Sequence, residues 1–170
     1  MTLVFALSGR LSHALAQCAK LVLGAIILVV ISDVVLRNLG LRPLSWSISA
    51  AEYGLLYAAF LPMPWLVRIK GHVFVEFFRQ PLPPAARAML ERAVYIACIG
   101  LCLYLCWHAS LLLIDAVRTG AYETRTFDMP KWAVFLPVAL SFLLSAIEWT
   151  RYLLGKDSLY DLDPLEQEGL

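Results

Sequence analysis

Charge is what this sequence has least of. Asp, Glu, Lys and Arg make up 16% of its 170 residues, where a soluble protein carries about 25%. Hydrophobic residues make up 61% and the mean hydropathy is +0.73. That is more apolar surface than a soluble domain of this length can bury, so the class is an all-α integral membrane protein. With a net charge of +1 and no basic run, nothing points to nucleic acid. The four cysteines, Cys18, Cys98, Cys102 and Cys106, lie in apolar segments with no CxxC and no His/Cys cluster at ligand spacing. Neither a disulfide framework nor a metal site is implied. Glycine-rich phosphate loops, HExxH and a nucleophile beside a base are all missing, so the chain is not read as an enzyme, and no cofactor is expected in it.

What is present is four long apolar runs, at about 14–36, 46–69, 93–117 and 132–154. Trp46 to Val67 is about 22 residues, enough at roughly 1.5 Å per residue to cross a ~30 Å hydrocarbon core. The expected architecture is a single domain over 1–155 with four transmembrane helices, followed by an acidic tail at 156–170. The first run is too long for a secretory signal and reads as a retained span. The connection Asn38 to Ser45, with Gly40 and Pro43, is short enough to make the first two helices antiparallel neighbours. Pro62 and Pro64 fall deep in the second and predict a bend. Gly54 and Ala58 offer a small surface for helix contact.

The second run has an unusual exit, Arg68-Ile69-Lys70-Gly71-His72, followed by the aromatic stretch Val73 to Phe78. That stretch is too short to span and reads as an interfacial segment lying on the membrane surface between helices 2 and 3. Trp132, Trp149, Tyr122 and Tyr152 fall near predicted interfaces, as aromatic belts do. Nine basic residues lie on the side of the amino terminus, the connection after run two and the carboxyl end, against five on the other. The positive-inside bias therefore places both termini in the cytoplasm.

The membrane carboxylates Asp33, Glu52, Asp115 and Glu148 lie within about two turns of predicted helix ends. Asp33 with Arg37, Asp115 with Arg118 and Glu148 with Arg151 have cations at i+3 or i+4, whereas Glu52 has none in local reach and should face a partner or a buried hydrogen bond. No carboxylate sits at the midplane, where a proton or cation relay would need one. His108 in run three suggests a haem ligand, but a facing histidine at matching depth is missing, since His13 and His72 lie near the cytoplasmic edge; packing or an interhelical hydrogen bond is favoured. Cys98, Cys102 and Cys106 recur every four residues, a pattern read as packing rather than soft-metal binding.

Val35-Leu36-Arg37 closes the first run, Trp46 precedes the second, Gly71-His72-Val73 with Val75 and Glu76 forms its exit, and Pro130, Trp132 and Pro137 open the fourth. Taken in order, these features resemble a family, the DctQ-like small membrane subunit of tripartite ATP-independent periplasmic (TRAP) transporters. The likeness covers about residues 10 to 155. Ser49 stands where the family often has a glutamate, with Glu52 one turn later, and Glu76 replaces the usual aspartate. The resemblance implies a non-catalytic scaffold subunit in the bacterial inner membrane, in a system that imports a carboxylate-bearing organic solute. Its implied partners are a large multi-span membrane subunit, where sodium coupling would reside, a periplasmic solute-binding protein, and membrane lipids. The residues expected to anchor the chain or meet a partner are Asp33, Arg37, Trp46, Glu52, Arg68, Lys70, Gly71, His72, Glu76, Asp115, Arg118, Pro130 and Trp132. Outside that resemblance, the alternatives are a haem-binding electron-transfer subunit built on His108 and a small homo-oligomeric exporter.

Overall fold

A computed structural model describes residues 2–71, 83–126 and 128–155. Five helices carry it: α1 (Thr2–Asn38), α2 (Ser47–Phe60), α3 (Met63–Arg68), α4 (Pro84–Thr119) and α5 (Lys131–Leu153). A two-residue ladder between β1 (Tyr122–Glu123) and β2 (Met129–Pro130) closes the connection into α5. His72, Glu76, the expected interfacial segment and the acidic tail lie outside the described residues.

Three helices, α1, α4 and α5, are long and apolar enough to cross a membrane. The expected continuous helix over 46–69 is instead two pieces, neither long enough alone. The cause is in the backbone: proline lacks an N–H, so Pro62 and Pro64 cannot donate into the ladder, and the chain breaks at Leu61–Pro62 before resuming as α3. Helices α1 and α4 also exceed the expected spans. The helix begins at Thr2 rather than near residue 14, because nothing in the first dozen residues breaks it. α4 begins at Pro84, a residue suited to the first helical position, where the missing N–H costs nothing. At 37 and 36 residues, each is about 55 Å long, well beyond a ~30 Å hydrocarbon core.

Turns are set by local chemistry. After α1, Leu41 N–H bonds Leu36 O at 3.0 Å and Gly40 N–H bonds Arg37 O at 3.2 Å, with Gly40 at φ +72°. This is a Schellman stop that uses glycine in the left-handed conformation, which L side chains rarely adopt. The same pattern closes α3, with Gly71 N–H on Leu66 O at 2.9 Å and Lys70 N–H on Val67 O at 3.3 Å. Here the left-handed residue is Lys70, at φ 60°, not the neighbouring glycine. Gly120 at φ +59° ends α4.

α5 is the centre of the bundle, packing on α1, α2, α3 and α4, while α1 also packs on α2 and α3. α1 and α4 flank it without substantial contact between them. The apolar core is small and lies towards one end, where Val67, Tyr95, Cys102, Ala146, Trp149 and Tyr152 cluster. Tyr95 stacks on Tyr152 with ring centroids 5.9 Å apart. α1 turns a face of small residues inwards: Ser8, Gly9, Ser12, Ala16 and Ala19 are buried, which lets backbones approach closely.

Candidate functional site

Three features hold the helices in register: a reciprocal pair of hydrogen bonds in the middle of the bundle and a polar cluster at each end. The middle pair arises from proline. Pro64 would have bonded Phe60 O had it an N–H; the freed carbonyl accepts from Ser141 Oγ at 2.6 Å instead. Pro137, inside α5, frees Ala133 O in the same way, and that carbonyl accepts from Tyr57 Oη at 2.7 Å. Each helix therefore satisfies the carbonyl that a proline exposes in the other, which is what allows broken helices to persist in an apolar medium.

The end that holds the start of α1 also holds the ends of α3 and α5, and there a buried ion cluster forms. Glu148 is fully buried, with its Oε1 3.1 Å from Arg68 Nη1 and accepting from Ser8 Oγ at 2.7 Å. Arg151 Nε lies 3.8 Å from Oε2. Arg68 Nη1 also donates to Phe5 O at 3.0 Å. A Cβ on Gly9 would overlap the Arg68 guanidinium, so glycine there makes room for the cation between α1 and α3. Tyr152 Oη bonds Val67 O at 2.8 Å and Arg68 O at 3.1 Å, and Arg151 Nη2 reaches Arg68 O at 3.4 Å. The end of α5 thus binds both the last side chain and the last carbonyls of α3. Expecting Arg151 as the local partner of Glu148 missed its closer contact, Arg68, which is remote in sequence. One turn deeper, Ser12 and Ser145 are also fully buried, and their hydroxyls have no hydrogen-bond partner among the described residues.

At the opposite end, Asp33 is buried and does two jobs. It pairs with Arg37 at 3.0 Å, as the i, i+4 spacing predicts, and its other oxygen accepts from Leu44 N–H at 2.7 Å, tying the α1–α2 connection back to α1. Nearby, a cavity of about 470 Å³ opens between α2, α4 and α5, lined in part by Glu52, Asp115, Glu123, Arg125, Lys131 and Phe135. Glu52, expected to lack a cation, has one: Arg125 from the α4–α5 connection lies 3.6 Å away. That connection is further tied to α2 by Thr126 N–H on Ser49 Oγ at 3.3 Å. The expected pairing of Asp115 with Arg118 does not form. Both are exposed, and among the described residues no ion pair joins them.

The aromatic and glycine positions fall at element ends. Trp46 precedes α2 and is 43% exposed, Trp132 opens α5 at 44%, and Pro130 ends β2. Gly54 packs on α1, where a Cβ would crowd the Ile26 side chain. The described histidines stay apart: His13 packs edge-on against Trp65 near the ion cluster, with centroids 4.7 Å apart, whereas His108 lies on the exposed side of α4 against Tyr104. No group of three or more His, Cys, Asp or Glu side chains that could hold a metal occurs among the described residues. The arrangement fastens helices to one another.

Residues 26–155 match the family described as Tripartite ATP-independent periplasmic transporters, DctQ component. A comparison with curated proteins gives no match.

Proposed function

We propose, given that the chain belongs to the DctQ family of tripartite ATP-independent periplasmic (TRAP) transporter components, that it is the small, non-catalytic scaffold subunit of a sodium-gradient-driven importer of a carboxylate-bearing organic solute. The observation that carries this reading is the family match joined to the way polar groups are spent. Glu148, Arg68, Arg151 and Tyr152 bind one another, and the proline-freed carbonyls are met by Ser141 and Tyr57. A carrier keeps charged groups at mid-depth, available to an ion or solute; this chain uses its buried ones to lock helices together.

In this reading the chain crosses the bacterial inner membrane four times, with α2 and α3 together forming the second crossing and both termini in the cytoplasm. Support comes from the basic excess on that side and from the meeting of the α1 start with the ends of α3 and α5. The ion cluster then lies at the cytoplasmic side, and the Glu52–Arg125 cavity faces the periplasm, where a solute-binding protein would dock. The test is co-expression with a large TRAP membrane subunit, followed by affinity purification in mild detergent. A complex of fixed stoichiometry is expected, and recovery of each chain alone would overturn the reading.

A further inference from the structure

The exposed face of α4 carries polar groups at a depth where lipid cannot satisfy them. Tyr104 and Trp107 are 61% and 64% exposed, and His108 beside them is exposed too. The Tyr104 and His108 rings meet edge-on with centroids 4.5 Å apart. Among the described residues, neither the tyrosine hydroxyl nor the imidazole nitrogens have a hydrogen-bond partner. Their depth follows from a neighbour: Cys106 Sγ contacts Ala139 O at 3.6 Å, eight residues into α5, or roughly 12 Å from its start and 21 Å from its end. In the four-crossing reading these groups lie within the hydrocarbon layer, Tyr104 about 3 Å deeper than Cys106 and His108 about 3 Å nearer the α5 start.

α1 makes the opposite choice. Past Lys20, its exposed face is aliphatic, with Leu21, Leu28, Ile31 and Val35. The one hydroxyl there, Ser32, is exposed but bonds its own helix at Leu28 O, 2.8 Å away. Histidine within a membrane helix almost always faces protein or a water-filled cavity. On α4 it shares a face with Ala97 and Gly100, about three and two turns back along the helix, and nothing lies within 4 Å of the position a Gly100 Cβ would take, so a second backbone can approach closely.

Building on the scaffold reading above, we propose that the Ala97–Gly100–Tyr104–His108–Leu111 face of α4 is the surface that docks the large membrane subunit, through a transmembrane helix offering a hydrogen-bonding group opposite His108, while the outer face of α1 meets lipid.

The experiment is site-specific photo-crosslinking in membranes holding this chain together with the large subunit, with p-benzoylphenylalanine placed at Trp107, at Leu111 and, on α1, at Leu28. Cross-links to the large subunit are expected from the two α4 positions and not from Leu28. Cross-links from Leu28 alone overturn this assignment while leaving the scaffold role intact. So do α4 cross-links that run only to a second copy of this chain or to its own residues 72–82. If the two subunits do not co-purify at all, the scaffold reading itself fails, and the docking face with it. As a second readout, His108→Leu removes the polar group but keeps apolar bulk. It should weaken the complex about threefold, up to roughly tenfold, because one interhelical hydrogen bond is lost. Unchanged or tighter association would count against a hydrogen bond at that position.

Discussion

Removing Glu148 should be the most damaging single change in this chain. Its carboxylate is fully buried between the guanidiniums of Arg68 and Arg151 and accepts from Ser8. Glu148→Ala strands two cations whose side chains are only 27% and 15% exposed. Deleting one partner of a buried ion pair costs about 3–5 kcal/mol, because the remaining charge keeps its desolvation penalty. Arg68 is the more exposed of the two and can swing part-way to the headgroups, so we expect the lower end, about 3 kcal/mol. That corresponds to a factor of roughly 100 or more in the folded population. The assay is equilibrium unfolding in mixed micelles of mild detergent and SDS, followed by the near-ultraviolet signal of the Trp149, Tyr152 and Tyr95 cluster. Two further variants separate charge from shape. Glu148→Gln keeps the volume and should cost less than Glu148→Ala. Arg68→Met with Glu148→Leu removes the ion pair as a unit, and should be less destabilised than either charge-deleting single variant. If Glu148→Ala unfolds within about 0.5 kcal/mol of the parent, the cluster is not what holds α1, α3 and α5 together.

The proline-linked bonds give a sharper internal control. Tyr57→Phe and Ser141→Ala each leave a carbonyl that no helical N–H can reach, and should cost about 1–3 kcal/mol. Ser32→Ala and Thr150→Ala remove hydroxyls that bond carbonyls of their own helix and should stay within about 0.5 kcal/mol in the same titration. Gly54→Val drives a branched side chain into Ile26; it should lower the midpoint of thermal aggregation in detergent, and an unchanged midpoint would show that α1 and α2 are not in close contact there. Glu52→Ala and Arg125→Ala break a half-exposed pair worth about 0–1 kcal/mol. Stability should hardly change, so a fall in uptake by either variant would report a lost partner contact, whereas unchanged uptake would remove Glu52 from the functional residues.

How much of this was legible in the sequence depended on whether the relevant signal was local. The Asp33–Arg37 pair, the Gly40 turn and the interruption near Pro62 follow from spacing and residue type, each read within a few positions, and three of the expected apolar helices are long enough to cross a membrane. The DctQ family could be seen in the order of short motifs, and the chain is a member of it. What could not be read is what depends on helices meeting. Arg68 and Glu148 are eighty residues apart, as are Tyr57 and Ala133, very nearly, and no periodicity connects them. One signal was available and unused: each proline frees the carbonyl four residues earlier, so Pro64 and Pro137 name Phe60 and Ala133 as acceptors in need of a hydroxyl. The Asp115–Arg118 expectation failed for the converse reason. Helical spacing permits a contact between two exposed side chains but does not compel one.

The central claim is that this chain supports transport without carrying the solute itself. It is tested most directly by reconstituting the large membrane subunit into proteoliposomes with and without this chain, adding the cognate binding protein loaded with its labelled solute, and imposing an inward sodium gradient. The account predicts uptake when all three proteins are present, loss of uptake when this chain is omitted, and none from liposomes holding this chain alone. Full uptake without it, or sodium-driven uptake by this chain by itself, would contradict the account.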